Sequence, residues 1–162
     1  ITPEAVKYGK DLIKENAQVY VVDDAELERV YKSYPVIWKK KDATPKLCFM
    51  GCPHMSLNQL IDWTKKIEEG LKKYGKTKVC IPTVFTAAPA VLKKFEETPY
   101  AATLKQAGVI TSYICPLMYM NNPLSEKMPV ITSSNKLRTY TSARYYTDAE
   151  ILEQITKGGM TR

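Results

Sequence analysis

Six side chains with chemical capability fall just beyond apolar runs: Cys52 and His54 after Leu47–Gly51, Cys115 after Val109–Ile114, and Ser133, Ser134 and Lys136 after the run that begins at Val130. His54 is the single histidine of the chain, and both Cys52 and Cys115 directly precede a proline. A thiolate can bind zinc or an iron–sulfur cluster. A serine hydroxyl beside a lysine can take a proton or hold an anion. Several chemistries lack support. No G-x-G-x-x-G and no G-x-x-x-x-G-K-[ST] is present, so dinucleotide and Walker-type phosphate sites are not indicated. A Ser-His-Asp triad has no G-x-S-x-G elbow behind it. Cys48-x3-Cys52-x-His54 could join Cys115 around zinc, yet both cysteines would then have to leave a strand pointing one way. The residues themselves leave three readings of Cys52 and Cys115 open: cluster ligands, zinc ligands, or ordinary loop cysteines.

The elements that must position these groups read as alternating strands and helices. Leu47–Gly51, Val79–Val84, Val109–Ile114 and a shorter run from Val130 to Thr132 are strand candidates, continuous and mainly apolar as in a sheet covered on both faces. Between them, Ser56-Leu57-Asn58-Gln59 has the form of a capping box, with Leu57, Leu60, Ile61, Ile67 and Leu71 on one helical face and Gly75 as the stop. Pro89 and Thr98-Pro99 open two further helices, and Thr147-Asp148-Ala149-Glu150 opens the last, which carries Ile151, Leu152 and Ile155. This alternation implies a three-layer α/β/α domain with a mainly parallel sheet. Residues 1–45 form a lead-in of helix and short strand: a helix over Pro3–Asn16, an extended Gln18–Val22, and a second helix capped by Asp23 or Asp24 that runs through Ser33. Residues 46–162 hold the βα repeats, and the whole is expected to be one domain. In such sheets ligands bind beyond the carboxyl ends of the strands. The six residues are therefore expected along one edge, with Cys52, Cys115 and Ser134 around a common cleft. Cys48 and Cys80, inside apolar runs, are expected in the core.

Composition narrows the classes of partner. A chain of 162 residues suits one domain with a real core. The net charge is +7, but the lysines are scattered beside acids and on helix faces, and no aromatic-interleaved basic motif points to nucleic acid. A diffuse positive field favours the approach of a small anionic substrate. No run reaches the roughly 20 apolar residues of a membrane helix, and the first residues lack a secretory stretch, so a cytoplasmic location is expected. The chain begins without methionine, which reads as a fragment of a longer protein.

Gly51-Cys52-Pro53-His54-Met55-Ser56-Leu57 resembles the glycine-cysteine-proline-histidine motif of the aconitase X family, which likewise ends a strand and opens a helix. Cys115-Pro116 is similar to that family's second cysteine loop. Thr132-Ser133-Ser134-Asn135-Lys136 resembles its threonine-x-serine-x-lysine signature, Tyr140 falls where a family tyrosine follows, and Thr2-Pro3-Glu4-Ala5 looks like a further family segment. The matches run in order along most of the chain. The resemblance implies the C-terminal part of a large subunit or catalytic region that works with a small swivelling domain or small subunit. It implies an iron–sulfur hydro-lyase, a dehydratase acting on a hydroxylated acid of phosphomevalonate or hydroxyproline type. Under it, Cys52 and Cys115 are cluster ligands, with a third ligand expected outside this chain. Ser134 is the catalytic base; Lys136, His54 and Ser133 contact substrate. Helix-capping or turn roles for Ser134 and a structural role for His54 remain open.

Three departures qualify the resemblance, one of them a connection from Tyr34 to Pro45 that is longer than the family's. Where the family carries a threonine-serine-arginine stretch after its second strand, this chain has Thr83-Val84-Phe85-Thr86-Ala87-Ala88, without the arginine. Ser133 stands where relatives have another polar residue, which leaves Ser133 and Ser134 in competition for the base. A non-catalytic α/β binding module and a zinc-stabilised interaction domain stand as rivals. The isolated fragment is expected to be inactive.

Overall fold

The computed structural model describes residues 2–159. It divides into two compact units, 1–34 and 35–162. In the first, α1 (Pro3–Tyr8) is capped by Thr2, whose hydroxyl accepts the Ala5 N–H, and continues into a 3₁₀ turn at Gly9–Leu12. The helix expected over Pro3–Asn16 is thus shorter, because Gly9 at φ 53° breaks the α ladder. Gln18–Val22 pairs with no strand. Helix α2 (Asp24–Lys32) starts on the Asp23 carboxylate, which accepts the Glu26 N–H at 2.8 Å. A hydrogen-bonded ion pair with Arg29 holds the Glu26 carboxyl below its ordinary value.

The second unit contains the sheet: β1 (Leu47–Met55), β2 (Thr83–Ala87), β3 (Val109–Ser112), β4 (Val130–Thr132) and β5 (Arg144–Tyr145), all parallel, in the order β3-β2-β1-β4-β5. Helix α3 (Leu57–Lys73) connects β1 to β2, and α4 (Pro89–Glu96) with α5 (Pro99–Gln106) connects β2 to β3. The chain then crosses to the other side of β1, through α6 (Pro116–Met120) to β4 and α7 (Asn135–Tyr140) to β5, before α8 (Asp148–Thr156). This is the expected three-layer α/β/α arrangement with a parallel sheet. The strand order reverses at β1 and β4, the kind of position where open α/β sheets leave a crevice.

Alternation along the strands sorts the core into two layers. Cys48, Met50, Phe85, Val109 and Ile131 point to one face and pack with Leu60, Trp63 and Ile67 of α3, Phe95, Leu104 and the Ile151–Ile155 stripe of α8. Leu47, Phe49, Val84 and Val130 point to the other and meet Met120 of α6 and Leu137 of α7. The first layer is thick because α3 is long and strongly amphipathic. The second is thin because α6 and α7 are each little more than a turn, which leaves Ile110 of edge strand β3 exposed. Trp38, in the basic connection before β1, is buried, and its indole N–H donates to the Ser142 carbonyl at 2.8 Å.

Both capping boxes form. The Ser56 hydroxyl accepts the Gln59 N–H while the Gln59 side chain accepts the Ser56 N–H; Thr147 and Glu150 do the same for α8. The second strand is displaced from the expected Val79–Val84 to Thr83–Ala87. Val79 and Cys80 give their N–H groups to Ala107 and Ile155 instead, and Pro82 has none to give, so pairing with β1 begins after it. Cys80, expected in the core, therefore lies outside the strand and is exposed. Cys48 is fully buried as expected, and desolvation pushes its thiol well above the ordinary range.

That burial predicts a pH dependence. The native state keeps the Cys48 proton, whereas the unfolded thiol ionises near its free value of about 8.5. Above that pH the native state binds one proton more, so stability falls as pH rises, by up to about 1.4 kcal/mol per pH unit. Urea titrations at about pH 8 and about pH 10 should show this slope, and Cys48→Ala should flatten it relative to the parent.

Candidate active site

The glycine-cysteine-proline-histidine segment does not follow β1; it is a bulge within it. Met50 pairs with Phe85 and Met55 with Ala87, so β1 places three more residues than β2 between the same two rungs. Gly51 makes the bulge possible. Its φ is +108°, and a Cβ there would lie 2.3 Å from both the carbonyl oxygen and the hydroxyl of Thr86. Thr86 is fully buried, and its hydroxyl reaches the Gly51 carbonyl at 2.8 Å and the Met50 carbonyl at 3.3 Å. It thereby ties the side chain of β2 to the backbone of the bulge. The Cys52–Pro53 peptide is cis.

The bulge forms one wall of a cleft of about 490 Å³, a volume ordinary for a small-ligand site. Gly51, Cys52, Pro53 and His54 line it from β1, Ser133 and Ser134 from the end of β4, and Tyr145, Thr147 and Asp148 from the junction of β5 with α8. Trp63 of α3 lines it too; its ring meets Phe85 edge-on, with centroids 5.8 Å apart. The cleft thus sits over the carboxyl ends of β1 and β4, where the strand order reverses.

Of the six residues singled out from the sequence, four line this cleft: Cys52, His54, Ser133 and Ser134. Cys52 is 8% exposed and packs into the second core layer, rather than lying in an open loop. His54 is exposed. Cys115 and Lys136 do not line the cleft. Cys115 is the exposed residue preceding α6, and strand β2 lies between β1 and β3, so the two cysteines do not leave adjacent strand ends as expected. Lys136 is exposed on the first turn of α7, and Tyr140 is exposed at its end. No lysine or arginine is among the lining residues, whose charged or titratable members are Cys52, His54, Tyr145 and Asp148. Among the described residues, no three His, Cys, Asp or Glu side chains gather as a metal-binding group.

The two serines are not equivalent. Ser134 is the N-cap of α7: its Oγ accepts the Leu137 N–H at 3.0 Å, and its hydroxyl donates to the Cys52 carbonyl, tying β4 to the bulge. Its own N–H donates to the Thr132 hydroxyl at 3.1 Å. The Ser133 hydroxyl is only weakly engaged among the described residues, donating to the Met50 sulfur at 3.6 Å. The sequence reading missed Gln59, Trp63, Tyr145, Thr147, Asp148 and the supporting Thr86. Thr147 was legible only as a cap, and the two-residue β5 is too short to show a period.

Comparison with known proteins agrees with this architecture. The family model described as "Aconitase X third domain" matches residues 45–156. Among solved structures, the chain is similar to the crystal structure of Thermococcus kodakaraensis aconitase X in its holo-form, with a TM-score of 0.67 and 21% identity over 90% of this chain. The chain spans 36% of that structure's length. No curated protein matches the sequence.

The bulge generates a stability prediction. Gly51→Ala forces the Thr86 backbone away and adds strain at positive φ, so it should cost at least about 2 kcal/mol. Chemical denaturation of the variant beside the parent measures this. A loss within a few tenths of a kcal/mol would show that the close approach of β2 to Gly51 is relaxed in solution.

Proposed function

The chain belongs to the aconitase X family, and from that premise we propose that it is the part of an iron–sulfur hydro-lyase that brings one wall of the active site, acting on a small hydroxylated acid. The observation that carries this reading is the joining of Cys52 and Ser134 in one cleft by the hydrogen bond from the Ser134 hydroxyl to the Cys52 carbonyl. It ties the backbone of the proposed thiol ligand to the candidate base at the same cleft. Substrates of phosphomevalonate or hydroxyproline type fit the class.

The donor set fits an iron–sulfur cluster in part. Cys52 offers a shielded thiol at the cleft, Cys115 a second one beyond it, and the remaining ligand must come from outside this chain. When bound, such a group supplies a Lewis-acid site for the leaving hydroxyl. The chain's own residues supply the rest. Ser134 is the base we assign. To take a proton from carbon it must first lose the proton it now donates to the Cys52 carbonyl, given up to solvent in the cleft, and act as the alkoxide, while the Leu137 N–H stays aimed at its oxygen and stabilises the negative charge there. Ser133, less engaged, is the substrate contact. His54 has an exposed ring on the opposite wall, suited to hydrogen-bonding a polar substituent. Lys136 reaches anionic substrate only if another part of the protein closes the cleft toward α7. Trp63 shields the floor. The small swivelling domain or small subunit and the rest of the large subunit are the proposed partners.

One observation favours a second reading, a binding module on the same fold: no lysine or arginine lines the cleft, so this chain brings little to hold a carboxylate or phosphate.

Mutants of the complete enzyme separate the two. Cys52→Ser should abolish cluster assembly, because a hydroxyl is a hard, poor substitute for a thiolate. Ser134→Ala should keep its iron, lose about 1 kcal/mol from the missing cap, and lower dehydration by roughly two to four orders of magnitude. Iron content and turnover are measured on the same preparations. Full turnover by Ser134→Ala with loss in Ser133→Ala moves the base to Ser133, and full turnover by both places it outside this chain.

A further inference from the structure

At the opposite end of the sheet from the cleft, the structure brings a thiol and an amine into contact. Gly75, at φ +64°, ends α3: its N–H bonds the Lys72 carbonyl and the Lys76 N–H bonds the Leu71 carbonyl, which fixes the backbone of Lys76. The Lys76 ammonium donates to the Lys157 carbonyl at 2.7 Å and to the Cys80 sulfur at 2.9 Å. Cys80 is held in turn. Its N–H donates to the Ile155 carbonyl at 2.7 Å, and its S–H is directed at the Thr156 carbonyl, 3.5 Å away. Gly158, at φ +76°, packs so closely that a Cβ there would lie 3.3 Å from the sulfur. Cys80 is nonetheless an exposed residue. A sulfur on an exposed residue with a lysine nitrogen at near-attack distance, both ends anchored by backbone bonds, is arranged for reaction between the two.

We propose that Lys76 and Cys80 form an oxidative modification site, in which a hydroperoxide converts the pair to a reversible sulfur–nitrogen cross-link. In the first step the thiol takes one oxygen from the peroxide: the O–O bond breaks, sulfur is oxidised by two electrons to the sulfenic acid, and water (or the corresponding alcohol) leaves. In the second, Lys76 gives one proton to solvent and its lone pair attacks the sulfur. The S–O bond breaks, and the departing hydroxide takes a further proton from nitrogen and leaves as water. Counted from the neutral thiol and amine, the net change is loss of one hydrogen from sulfur and one from nitrogen, with no oxygen retained. Condensation with a nearby nitrogen keeps the cysteine off the irreversible sulfinic and sulfonic steps. The remaining N–H can still reach the Lys157 carbonyl, so the contact of α3 with the end of α8 survives.

The test treats the intact protein with hydrogen peroxide and reads the products by peptide mass mapping. The expected product links residue 76 to residue 80, is lighter by two hydrogens, and reverts with a thiol reductant. Lys76→Arg keeps the charge but not the nucleophile. It should lower the cross-link about tenfold or more and send Cys80 to the sulfinic acid, while Cys80→Ser should abolish the product. Equal yields of sulfinic acid at Cys80 in the parent and Lys76→Arg would overturn the proposal, as would a cross-link that retains an oxygen.

Discussion

The cleft depends on one close approach, that of Thr86 to Gly51. Strand β2 runs so near β1 at this point that no side chain fits, and the buried Thr86 hydroxyl bonds the carbonyls of Met50 and Gly51. Pinned there, β1 spends its extra residues outward, and Cys52, Pro53 and His54 become the wall of a cleft instead of rungs of a ladder. A regular strand would have sent alternate side chains into the two core layers. The departure from the family's threonine-serine-arginine stretch lies in this same part of β2. What this chain has there is a threonine that is structural, buried and fully committed to the backbone of β1.

The topology completes the site. Because the chain builds β1, β2 and β3 in one direction and then crosses to β4 and β5, helices α3 and α7 diverge on opposite faces above β1 and β4. The gap is where β4 delivers Ser133 and Ser134 opposite the bulge. Ser134 serves as cap and as cross-strand tie at once. This links its possible chemistry to its structural work, since any change in its hydrogen bonds is felt at Cys52.

Much of this was legible in the residues. Long amphipathic α3 and both capping boxes announce themselves by period and spacing, and the short run from Val130 to Thr132 marks β4. Cys52, His54, Ser133 and Ser134 share a cleft because residues beyond parallel strand ends must meet at one edge. The rest was hidden for physical reasons. Apolar character does not reveal which groups a backbone pairs with, so Val79–Pro82 reads as strand although the Val79 and Cys80 N–H groups serve carbonyls at the ends of helices α5 and α8. Strand order is a property of long-range pairing, so nothing near Cys115 in sequence shows that β2 separates it from Cys52. Helices as short as α6 and α7 carry too few turns for a period.

The central proposal is that this chain contributes Cys52 to a cluster beside Ser134 at the β1–β4 cleft. Iron-edge anomalous diffraction from crystals of the complete enzyme, grown without oxygen, tests it most directly. The account predicts an anomalous peak within bonding distance of the Cys52 sulfur, open toward the Ser133–Ser134 side of the cleft. A peak bonded to other cysteines, with Cys52 left as a buried thiol, would contradict it.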